Sequence, residues 1–199
     1  MPIKHLILTL FFTFTNFSCK DTTRSERVVV VQPFEDFSPK MTSVVYEKLK
    51  TIHKTVILKS SIKLPESAYY KPRNRFKAQK ILDYFSKKAH SDTVTIGLTN
   101  RDISITKANN QDSGIMGLGF CPGSSCVVST FRLRKKNLKE QFIKLSLHEL
   151  GHTQGLPHCE NLTCYMRDAK GKNVFDEETD FCLKCKSFLK KKGWRYFEK

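Results

Sequence analysis

The stretch "LSLHELGHTQGLPHCENLTCYM" (residues 145–166) holds three of the chain's six histidines and two of its seven cysteines. His148 and His152 stand four residues apart in a segment that reads as helix. Both imidazoles therefore share one face, one turn apart, where they can hold one zinc ion. Gly155 follows the helical pattern, at the place where a residue with positive φ stops a helix and turns the chain. "LP" then leads to His158. Such a turn brings His158 back as a third ligand and leaves a fourth position open for water. Glu149 lies on the adjacent flank, within reach of that water. Zinc lowers the pKa of bound water toward about 7. A carboxylate beside it can take the proton and pass it to a leaving amine. Two exposed histidines on a helix would need no metal; the third, placed behind a glycine turn, favours chemistry.

Cys159 directly follows His158, and Cys164, Cys182 and Cys185 complete a C-x4-C and a C-x2-C pair. Four thiolates in two pairs suit a closed tetrahedral zinc site. Such a site would staple residues 159–185, which carry little apolar material of their own. Disulfides are the competing reading, since six cysteines remain once Cys19 is set aside. A C-x2-C pair is short for an unstrained bridge. Cys121 and Cys126, in "CPGSSC", bracket a turn and could close a small disulfide loop.

Upstream, strands and helices alternate. "RVVVVQPF" (27–34) is a β-branched run and reads as a buried strand. Ser38 before Pro39 is an N-cap followed by proline at the first helical position. Val44, Val45, Leu49 and Ile52 then recur at helical spacing. "TVILK" (55–59) is a second strand, "LPESAYYKPRN" a loop, and residues 75–89 an amphipathic helix. Residues 92–99 and 126–133 are further strands. "GIMGLGF" (114–120) reads as a glycine-weakened edge strand, and residues 137–154 as the helix that carries the histidines. This alternation predicts an α/β fold: a mixed, twisted sheet with right-handed crossovers and an antiparallel edge strand. After residue 158 periodicity is lost until a final basic, helical segment. A zinc-stapled C-terminal subdomain (159–199) inside a domain of 28–199 is the expected organisation.

The N-terminus reads as an export signal. A short positive start precedes the twelve-residue apolar run "LILTLFFTFTNF", which is too short to span a bilayer. "FSCKD" resembles a bacterial lipoprotein signal, with residues 1–18 removed and Cys19 lipidated. Residues 19–27 would be a flexible tether, and the protein would be exported and membrane-attached through that lipid. Ordinary secretion is the plainer alternative. The 199 residues carry a formal charge of +16. That charge suits an anionic partner or surface, or equally a solvated basic face. No aromatic-rich RNA-binding signature or basic reading helix is present, so no nucleic-acid partner is expected.

The string H-E-x-x-H-x-x-G-x-x-H resembles the metzincin metallopeptidases. That resemblance implies a methionine-containing turn under the zinc, for which Met166 is the candidate. Some metzincins place a tyrosine ligand two residues beyond that methionine; here the position is Asp168. "HELGHTQGLPHCENLTCYM" with the distant "CLKC" is similar to the archaemetzincin family. "GFCPGSSCVVSTFRL", "PESAYYKPRNRFKAQKIL" and "TIGLTNRDI" also look like family segments. The resemblance implies a zinc-dependent peptidase with two Zn2+: a catalytic ion at His148, His152 and His158, and a structural one at the four cysteines. Glu149 would be general base and acid, and a peptide or protein the substrate. The alternative from another class is a catalytically silent, zinc-stabilised binding module at an anionic envelope surface.

Overall fold

The computed structural model describes residues 27–107 and 110–195. The expected signal, Cys19 and the tether up to residue 26 lie outside the described residues. Arg27 is already part of the domain, because its guanidinium donates to Gly123 O at 2.7 Å and Thr153 O at 2.6 Å. Among the described residues, no helix is long and apolar enough to cross a membrane.

The strands are β1 (Val28–Pro33), β2 (Val56–Leu58), β3 (Tyr69–Tyr70), β4 (Arg75–Lys77), β5 (Thr93–Thr99), β6 (Ile103–Lys107), β7 (Asn110–Ile115), β8 (Gly117–Gly119) and β9 (Ser125–Ser129). The helices are α1 (Pro39–Lys50), α2 (Ala78–Ser86), α3 (Leu138–Gln154) and α4 (Leu183–Lys191). A five-stranded sheet runs in the order β2-β1-β5-β9-β8. Its first four strands are parallel, and β8 closes it antiparallel to β9. This is the mixed α/β sheet with an antiparallel edge that the sequence predicts. The valine run of β1 suits a strand covered on both faces. Along β9 the alternation separates two cores: Cys126 and Val128 pack with α1 and α3, Val127 with α2. Each fully buried aliphatic side chain in these cores contributes about 1.5–3 kcal/mol.

Ser38 caps α1 as expected, its Oγ accepting from Met41 N–H at 3.5 Å, with Pro39 in the first turn. Two expectations are corrected. Residues 75–89 do not form one helix, because Arg75–Lys77 is strand β4. Phe76 is buried, whereas Arg75 and Lys77 pair with Asp102 and Asp112. That alternation has a period of two. Residues 114–120 do not form one strand either. Ile115 pairs with Ile103 in a second sheet, β3-β4-β6-β7, while Gly117 pairs with Val128 in the first. The chain changes sheets at Met116.

Beyond α3 the backbone is turns and isolated bridges until α4. Lys144, buried within α3, anchors this segment. Its Nζ donates to Phe175 O (2.8 Å) and Glu178 O (2.6 Å) and pairs with Glu140. Trp194 and Phe181 close the far end of the core edge-to-face.

Candidate active site

Helix α3 is buried on nearly every side, unlike an amphipathic surface helix. The two histidines are therefore presented by a rigid core element. Gly155 has φ of 100° and ends the helix in the left-handed region that favours glycine. Gly155 N–H bonds His152 O at 2.8 Å, and Leu156 N–H reaches back to Gly151 O at 3.2 Å. This closing turn returns the chain. His158 comes within 4.8 Å of His152 and 5.4 Å of His148, ring centre to ring centre.

Two further bonds fix the tautomers. His148 Nδ1 lies 2.6 Å from Tyr165 O, and His152 Nδ1 lies 2.8 Å from Leu156 O. A carbonyl oxygen only accepts, so each Nδ1 carries the proton and each Nε2 a lone pair. Those two Nε2 atoms face each other at 3.0 Å. Burial first, then the neighbouring His152, pushes His148 down to about 3. Burial likewise lowers His152. Neutral imidazoles with converging lone pairs suit a cation, and three of them with room for a fourth ligand suit zinc. His158 is half exposed, with Nδ1 4.0 Å from Asp168 Oδ2.

The Glu149 carboxylate packs onto β8. It is buried and accepts from Gly119 N–H, and burial pushes it up to about 8. The strand makes room for it by lacking side chains. A Cβ at Gly117 would sit 2.5 Å from Glu149 Oε1, and one at Gly119 2.7 Å from Glu149 O. The glycines of the edge strand are thus the cradle of the carboxylate. Met166 is fully buried beneath the helix. A Cβ at Gly151 would stand 2.6 Å from Met166 Sδ, so the glycine of "HELGH" admits the methionine between the two histidines.

Cys159, Cys164, Cys182 and Cys185 converge as well, with ligand atoms within 4.8 Å of one another. Cys159 Sγ and Cys182 Sγ are 3.7 Å apart, far beyond a disulfide bond. All four are free thiols, in place of the disulfides that were the competing reading. Cys164 Sγ accepts from Cys182 N–H at 3.3 Å and Met166 N–H at 3.5 Å. Cys182 opens α4. Burial raises its pKa, but hydrogen bonds from Cys185 N–H and from the neighbouring thiols pull it down to about 7. Burial raises Cys164 and Cys185. Cys159 N–H donates to Met166 O at 2.8 Å, which links the methionine turn to the cysteine cluster. Cys121 and Cys126 are free rather than bridged. Cys126 is packed in the β9 core, while Cys121 turns toward Leu156 O at 3.4 Å.

His148 and His158 line a cleft of about 440 Å3, together with Gly114, Gly117, Arg132 and Asp168. Arg132 is the member that sequence reading missed. Asp102 holds it, thirty residues away, and no local spacing signals that pair.

The model of Peptidase family M54 matches residues 27–191. The archaemetzincin of Methanopyrus kandleri is 34% identical over 140 residues, 68% of this chain and 77% of the relative. That of Nanoarchaeum equitans is 33% identical over 151 residues, 75% of this chain and 83% of the relative. The fold is similar to the crystal structure of the Methanopyrus kandleri archaemetzincin, with a TM-score of 0.71 and 28% identity, covering 85% of this chain and 97% of that one. It is also similar to that of Archaeoglobus fulgidus in complex with malonate, with a TM-score of 0.67 and 26% identity, covering 80% and 98%.

Proposed function

The chain belongs to peptidase family M54, the archaemetzincins, and is a zinc metallopeptidase; from that premise we propose which residues hold zinc and which move the proton. His148, His152 and His158 hold the catalytic ion. Bound there, zinc supplies the Lewis acidity that polarises a carbonyl and brings the pKa of water down toward about 7.

The chain's own residues do the rest. The Nδ1–H bonds to Tyr165 O and Leu156 O hold the imidazoles of His148 and His152 in the tautomer that offers Nε2. Glu149 takes the proton of the attacking water on its carboxylate and delivers it to the leaving amine as the peptide bond breaks. Its burial makes it a stronger base than a solvated glutamate. Gly119 N–H holds it in place. The outer edge of β8 pairs with an extended substrate by strand addition. The four cysteines hold a second, structural ion that ties residues 159–185 to the methionine turn. The observation that carries this reading is the pair of Nε2 lone pairs facing at 3.0 Å beside a buried glutamate. A silent scaffold would leave that buried carboxylate without a role.

Glu149→Ala is expected to retain two zinc ions per chain and to lose peptide hydrolysis. Unchanged turnover would overturn the assignment. For the N-terminus we retain the reading from sequence that Cys19 carries a lipid anchor. Cys19→Ser should move the protein from the membrane to the soluble fraction, and continued attachment refutes the anchor.

A further inference from the structure

The cleft beside the histidines contains a fixed positive group that the hydrolytic chemistry leaves unused. Arg132 follows β9 and reaches over β7. Its Nε and Nη2 donate to Asp102 Oδ1 and Oδ2, both at 2.9 Å, in a fork-to-fork pair. Asp102 is buried and is also gripped by Arg75 at 3.0 Å. Arg75 and Lys77 in turn pair with Asp112, each at 3.2 Å. Three cations, Arg75, Lys77 and Arg132, thus face two anions, Asp102 and Asp112, with exposed Arg73 at the rim.

The surplus charge emerges at Arg132. Its side chain is 35% exposed, against 14% for Arg75 and 12% for Lys77. The guanidinium occupies the space where Gly114 would carry a Cβ, so it lies directly on the backbone of β7. Nη1 makes no hydrogen bond among the described residues, while Nε and Nη2 are committed to Asp102. Lys107 and Lys170 line the same cleft, as do the acids Asp168 and Glu178. Asp168 accepts from Lys170 N–H at 2.9 Å. Glu178 is buried behind Lys144, and burial raises its carboxyl to about 7. Neither acid is paired with Arg132.

We propose that Arg132, clamped by Asp102 and lying on Gly114, is a specificity-determining residue that binds a carboxylate of the peptide substrate. The proposal rests on the peptidase reading of this cleft and deepens it. An arginine with Nε and Nη2 already fixed presents Nη1 without loss of side-chain freedom, so little ordering cost is incurred on binding. The carboxylate belongs to an Asp or Glu side chain, or to the C-terminus of the substrate.

The test uses the full chain, zinc-loaded, as the Glu149→Gln variant, so that binding is read without turnover. Fluorescence anisotropy is measured with labelled peptides carrying one Glu, scanned through each position around the cleaved bond, and with their Gln counterparts. Each peptide is made as free acid and as C-terminal amide. A scrambled peptide of equal charge corrects for general attraction to a basic protein. Charge-assisted bonding predicts roughly tenfold tighter binding, or more, for the carboxylate member of a pair. The Glu/Gln arm giving the effect identifies a side chain as the source, and the acid/amide arm identifies the terminus. Arg132→Met should abolish the ratio while leaving the neutral peptide bound. Arg132→Lys, which keeps the charge but not the fork, should reduce it severalfold. Equal binding in both arms overturns the proposal, as does a ratio that is undiminished in either variant. A Glu149→Gln variant that still cleaves as fast as wild type refutes the assignment of Glu149, and leaves the binding ratio as evidence about Arg132.

Discussion

The two ligand clusters are built in opposite ways, although His158 and Cys159 are neighbours in the chain. The histidine site is made by the fold. Two of its ligands ride on a buried seventeen-residue helix, and a glycine turn returns the third. The cysteine site draws on the same core, through Cys164, Met166, Phe181 and Cys185, but no long helix carries its side chains. Between α3 and α4 the chain has turns and isolated bridges; Cys159 and Cys164 lie on these, while Cys182 caps α4 and Cys185 lies within it. One region presents its side chains from a continuous helix; in the other, the four cysteines join irregular turns to the start of a short helix. The difference predicts which region needs its metal in order to fold.

Stripping both ions with a chelator should sharpen this contrast most. Amide exchange protection is expected to persist through α3 and to be lost across 159–182. Equal loss in both regions would break the comparison. A smaller effect is expected at the cradle. Gly117→Ala puts a methyl group 2.5 Å from Glu149 Oε1. Displacement of the carboxylate by about 1 Å should cost roughly 100-fold in kcat/KM, with both ions retained by metal analysis. Undiminished turnover would show that β8 does not position Glu149. Smaller again is the effect of crossing between regions. Cys159→Ser should lower the zinc count by one and reduce activity roughly tenfold or more, as losses of supporting groups around a metal do, although His148, Glu149 and His152 are untouched. Full activity in that variant would show the two sites to be independent.

What was legible in the sequence follows the same division. The spacing of His148, His152 and Gly155 is a local helical property, and it led directly to the site. The β1 valine run, the Ser38 cap and the parallel sheet were legible for the same reason. The second sheet was not, because β4 is three residues long and its outer side chains are held by ion pairs to Asp102, just before β6, and to Asp112 in β7. Arg75 and Lys77 looked like the polar face of a helix. The split at Met116 was hidden because Gly114 and Gly117 are glycines for different partners, the Arg132 guanidinium and the Glu149 carboxylate. A glycine in sequence signals that something comes close, and does not name it.

The bond from Cys159 N–H to Met166 O, together with the Cys164 thiol that receives Cys182 N–H, ties the methionine turn under the helix to a distant part of the chain. His148 and His152 are synthesised some thirty residues before Cys182 and Cys185. The floor beneath the two histidines is therefore held from a part of the chain that leaves the ribosome after them.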